Sequence, residues 1–146
     1  MMSEMDNILD RLIPKSLDDI IRANKHLAEL RLADEREISA ITGEIWADKT
    51  KDEISNFRLV SIIFKNPVTV SVHLLGTCSA RHAWYTSQVM VLDLQRGYAQ
   101  TRSGSLYKLI GPLAVDEPGT DDLICLCAAL NTWGVGQYLG VPAFFY

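Results

Sequence analysis

Apolar and polar residues alternate most plainly from Val68 to Leu74, where Val68, Val70, Val72 and Leu74 are interleaved with Thr69, Ser71 and His73. That period of two predicts a strand with one face toward a core. Gln88 to Ile110 carries shorter apolar runs, broken by Gln95-Arg96-Gly97 and by Ser103-Gly104. Both breaks contain a glycine able to take the positive φ of a tight hairpin, so the segment reads as three strands of a β-meander. In its first strand Val89 and Val91 point one way while Met90, Leu92 and Leu94 point the other, which predicts cover on both faces. The second strand is more polar, with Tyr98, Gln100 and Arg102 on one side and Ala99, Thr101 and Ser103 on the other, and this predicts a place nearer a sheet edge.

Other stretches follow the helical period. Ile8, Leu9 and Leu12 suit a short helix that Pro14 stops. Ser16 with Asp19 has capping-box spacing, and Leu17, Ile20, Ala23, Leu27 and Leu30 then fall at three- and four-residue steps. The stripe weakens and resumes at Ile38, Ile41 and Ile45, either as one rod from Ser16 to about Ala47 or as a helical hairpin in which Asp34 and Glu37 cap the second helix. The hairpin buries both stripes within one chain and is the reading adopted. Thr50 and Glu53 have capping spacing ahead of Ile54, Phe57, Val60 and Ile63, so a further helix is expected to run up to Asn66-Pro67, although Leu59 to Phe64 has the β-branched content of a buried strand. Gly76 to Tyr85 reads as a loop. Thr120, Asp121 and Asp122 open a last helix along Leu123, Ile124, Cys127 and Leu130, which Gly134 ends, and the uncharged C-terminal VPAFFY is expected to pack on the domain as a strand or plug.

These elements predict an α+β fold: N-terminal helices, an antiparallel sheet of about four strands containing the meander, and a C-terminal helix packed on the sheet. A chain of 146 residues suits one domain, mainly helical over residues 1–66 and sheet plus helix over 67–146. No run has the length of a membrane-spanning helix, and MMSEMDNILD lacks the basic start and apolar core of a secretion signal, which predicts a cytoplasmic protein. Cys78, Cys125 and Cys127 are odd in number, as expected of free thiols in a reducing compartment.

Charge is unevenly divided. Residues 1–58 carry 13 acidic and 9 basic side chains, residues 59–115 carry 1 and 5, and residues 116–146 carry 4 and 0. A basic middle between acidic flanks has two readings: the helices neutralise the sheet within the molecule, or Arg81, Arg96, Arg102 and Lys108 face an acidic partner or a phosphate backbone. The first is favoured, since so few cations fall short of a usual nucleic-acid footprint.

Candidate chemistry is sparse. Cys78 and His82 with Cys125 and Cys127 have no standard zinc spacing, and two cysteines at i and i+2 of a helix point about 200° apart, so no metal is assigned. Gly134, Gly136 and Gly140 follow a helix rather than joining a strand to one, which removes the geometry of a phosphate loop. No residue set forms a known catalytic motif, no cofactor is implied, and His73, on the more polar side of its strand, is expected to be a surface or half-buried residue rather than a catalyst. Arg81, His82, Trp84 and Tyr85 combine the side chains that dominate binding hot spots on one connection between strands, against the alternative that the two aromatics cover the end of the core. With Arg96, Arg102 and Lys108 they make a candidate partner-binding set. The sequence thus points to a small non-enzymatic protein-binding or regulatory module, such as an inhibitor or adaptor of the kind a phage or mobile element encodes, with nucleic-acid binding by the basic meander and an enzyme of unrecognised class as alternatives. Self-association through the N-terminal helices is a further expectation.

Overall fold

A computed structural model describes residues 13–141; the predicted helix over the first dozen residues and the C-terminal tail beyond Val141 lie outside them. Helix α1 (Leu17–Ile20) is short, with the Ser16 hydroxyl accepting from the Asp19 N–H. Strand β1 (Ala28–Leu32) follows, then α2 (Glu35–Ile41), whose capping box is the anticipated Asp34 and Glu37 pair. The sheet continues with β2 (Asp52–Lys65), β3 (Val68–Cys78), β4 (Ala83–Asp93), β5 (Tyr98–Thr101) and β6 (Leu106–Ile110), and α3 (Thr120–Thr132) and α4 (Gly136–Leu139) follow.

Among the described residues the fold is α+β, with six strands rather than about four. They lie in sequence order, each antiparallel to the next, and β6 then runs parallel to β2, pairing Ile54 with Leu109. That last pairing closes β2 to β6 into a barrel. β3 occupies one edge of β2 throughout, so β1 and β6 share the other: β1 pairs with Val60–Phe64 and β6 with Asp52–Ser55. The closure also puts β5 between β4 and β6, so it is not the edge strand its polarity predicts.

The first third of the chain departs most from the helical expectation. Ala28 and Leu30 are buried and alternate with Glu29 and Arg31, a period of two hidden inside an apparent helical stripe. Neither a rod nor a helical hairpin forms. The segment expected to be helical over Ile54–Ile63 is the longest strand, and its apolar residues serve two cores at once. Phe57 and Leu59 face the barrel interior with Val72, Leu74, Val89, Leu92 and Tyr107, whereas Val60 and Ile62 face outward to α1 and α3 with Leu75, Leu123, Leu126 and Leu130. A strand covered on both faces loses the alternation that would mark it.

Gly76 allows the close approach of β3 to β2 at a bulge, where Asn56 takes a φ of 48°. A Cβ at Gly76 would lie 2.6 Å from Ile54 Cγ2 and 2.8 Å from the Ser55 carbonyl oxygen. Helix α3 begins at the predicted residue and lays Leu123, Leu126, Cys127 and Leu130 on the outer face of the sheet. Among the described residues no helix is long and apolar enough to cross a membrane.

Candidate interaction surface at the barrel mouth

The connection expected to span Gly76–Tyr85 is shorter, because β3 runs to Cys78 and β4 starts at Ala83. Only residues 79–82 turn, with Arg81 at a φ of 66°. Alternation then sends the two aromatics apart. Trp84 stands opposite Gly76 at the end of the barrel where β2 begins; its indole N–H donates to the Tyr107 hydroxyl at 3.2 Å, and 37% of the residue stays exposed. The Lys51 ammonium lies 5.9 Å from the centre of its ring, and the His82 ring is 6.2 Å away.

Tyr85 faces the opposite way and leaves the candidate surface. It is 6% exposed in the outer core, stacked with His73 and Trp133 at centroid distances of 5.1 Å and 5.3 Å. Among the described residues its hydroxyl has no hydrogen-bond partner, and burial raises its pKa well above the phenol range. His73 is buried too, contrary to expectation, because Thr86 and Ser71 satisfy its ring: Nδ1 is 3.0 Å from the Thr86 carbonyl oxygen and Nε2 2.9 Å from the Ser71 hydroxyl. Burial lowers its pKa despite the Thr86 bond.

The cations divide as well. Arg96 is absorbed by the protein: its guanidinium stacks 3.9 Å over Trp46 and reaches Asp93 at 3.3 Å and Glu44 at 3.8 Å. Asp93 in turn accepts from the backbone N–H groups of Arg96 and Ile45, which hold its carboxyl below the usual range. Arg58 is likewise engaged, with Asp116 at 2.8 Å and Asp122 at 3.8 Å. Of the basic middle segment, Arg96 is thus neutralised within the molecule, by Asp93 and by Glu44 of the acidic first segment. Arg81, Arg102 and Lys108 are exposed and have no ion pair among the described residues.

Arg102 lies in the β5–β6 turn at the same end of the barrel, where the Lys51 N–H donates to the Leu106 carbonyl and Ser103 lies 3.3 Å from Ser87. Lys108 is on β6, flanked across strands by Tyr98 and Glu53. A groove of about 580 Å³ separates Arg81 and His82 from Asp121 and Asp122 at the start of α3. The sequence reading missed Lys51 and Tyr107, which join Trp84 only because β2 is a strand whose first residues pair with β6.

Cys78 and His82 do meet, with the thiol 3.5 Å from each ring nitrogen, and Cys78 is buried rather than a loop thiol. Cys125 and Cys127 are free; burial pushes the Cys127 thiol up to about 12 and raises Cys125, which makes both poor nucleophiles. Comparison with known protein families, characterised proteins and solved structures finds no match.

Proposed function

We propose that the chain is a small protein-binding module, an inhibitor or adaptor by type, which meets an acidic surface of its partner with the barrel mouth. The observation that carries this reading is the partly exposed Trp84 indole, held by the Tyr107 hydroxyl and covered by Lys51, at the end of the barrel where the turns bearing Arg81 and Arg102 also lie. A fixed aromatic ring bordered by cations is the composition of a binding hot spot. The free cysteines suit a reducing compartment, in line with a cytoplasmic location.

Nucleic-acid binding is the second reading. Asp52 and Glu53 lie beside the same cations, and Asp52 accepts from the Ser79 N–H in the turn that carries Arg81, so the patch is mixed in sign. That mixture favours a protein partner over a phosphate backbone.

The test begins with co-purification from the native cell, followed by titration of the purified partner. Arg81→Glu combined with Arg102→Glu should weaken binding at least about tenfold while leaving the melting temperature in place. Normal binding by that variant would refute the surface. Salt-sensitive affinity for duplex or single-stranded DNA or RNA would favour the second reading.

A further inference from the structure

A second surface lies at the other end of β3. β2 pairs with β3 from Val68 to Cys78, but β4 pairs with β3 only from His73 onward, so among the described residues the edge from Val68 to Val72 has no strand beside it. Register shows what that edge presents. Leu59 and Lys65 turn their main-chain groups toward β1, bonding Ala33 and Leu27, so Ile63 between them does the same. Their cross-strand partners Val68, Val70 and Leu74 therefore turn theirs away from β2; the Leu74 N–H does so toward the Thr86 hydroxyl. Val68 and Val70 thus offer N–H and C=O groups outward, and these residues are 73% and 44% exposed.

The open edge borders a groove. Val68, Val70 and Val72 line it on the strand side and Ala40 and Ile41 of α2 on the other, enclosing about 540 Å³. Arg31 and Glu37 on its rim are joined by two bonds of 2.8 Å and 2.9 Å, and Asp34 lies 3.7 Å from Arg31. Arg36, also on the rim, is exposed and has no ion pair among the described residues. Residues 66–80 carry no charged side chain, so nothing on β3 blunts the edge as a lysine would.

We infer that this groove binds an extended segment of another protein, added as a strand to β3 between that edge and α2. Alternate apolar side chains of the segment pack on Val68, Val70 and Ala40, and a carboxylate meets Arg36. A second copy of this chain fits poorly: β4 already fills the position beside His73, so the copy's β2–β3 hairpin would run into it, whereas a single segment can end or turn there. The surface is separate from the barrel mouth and stands without it.

The test pans the intact protein against a displayed library of random dodecapeptides. Peptides with alternating apolar residues and at least one acidic residue should emerge, protect the Val68 and Val70 amides from hydrogen exchange, and bind about tenfold more weakly to Arg36→Glu and to Val70→Pro, which deletes an outward N–H. Arg81→Glu with Arg102→Glu should bind them unchanged, which separates this groove from the barrel mouth. The inference is overturned if no such peptides are enriched, if both groove variants bind them normally, or if light scattering shows a dimer that Val70→Pro dissolves.

Discussion

Replacing Gly76 by alanine tests the account of how the barrel closes. The added methyl would stand 2.6 Å from Ile54 Cγ2, 2.8 Å from the Ser55 carbonyl oxygen and 3.1 Å from Phe57 Cα. Two of those three atoms belong to backbone, so a rotamer change cannot relieve the contact. Its φ is not in the left-handed region, and steric overlap alone sets the cost. Overpacking of this kind costs about 1–3 kcal/mol, and the upper half of that range is expected because β2 itself must move. For a chain of this length each kcal/mol lowers the melting temperature by about 2–4 °C, so the variant should melt about 4–12 °C lower. Gly119→Ala, whose Cβ would meet nothing within 4 Å, is the control and should change stability by less than about 1 kcal/mol. Urea unfolding followed by circular dichroism gives both values, with the denaturant slope unchanged if the folded state is retained. A Gly76→Ala melting point within a degree of the wild type would refute the close approach.

Three further outcomes follow from the buried polar groups. His73 is held neutral by burial, so its folded pKa lies below its unfolded one; stability is fully present above about pH 6.5 and is lost as pH falls from there through the folded value, a slope that His73→Gln should remove in urea midpoints taken across that window. Tyr85→Phe deletes a hydroxyl without a partner among the described residues and should leave stability equal or raise it by up to about 1–2 kcal/mol, whereas a clear loss in calorimetry would reveal a bond that the geometry lacks. Asp93→Asn removes the charge that Arg96 and two backbone N–H groups share, and should lower the melting temperature at neutral pH with the gap closing as pH falls through the depressed Asp93 pKa.

What the sequence made legible was local. The meander, its two glycine turns, the start of β3 and helix α3 each depend on neighbours within a few residues, and their patterns are clean. β2 was hidden because burial on both faces erases alternation, and β1 because the spacing of its buried Ala28 and Leu30 also fits the helical stripe that precedes it. The parallel pairing of Ile54 with Leu109 has no local signature at all. The site followed the same division. Trp84 and the cations could be picked out by residue type, but Lys51 joins them only through the β2–β6 closure. Tyr85 parts from Trp84 because adjacent strand residues face opposite sides. The open edge of β3 depends on where β4 turns away, which its own sequence does not state.

β2 gives the molecule a particular mechanical character. It is the wall between two cores, with Phe57 and Leu59 on one side and Val60 and Ile62 on the other, and no apolar layer of either core is complete without it. A defect on one face therefore reaches the other through a single strand. The barrel and the helical layer should melt together, as one unit with one midpoint, and a binding event that stiffens the β3 edge would be felt at Trp84, which β3 holds opposite Gly76.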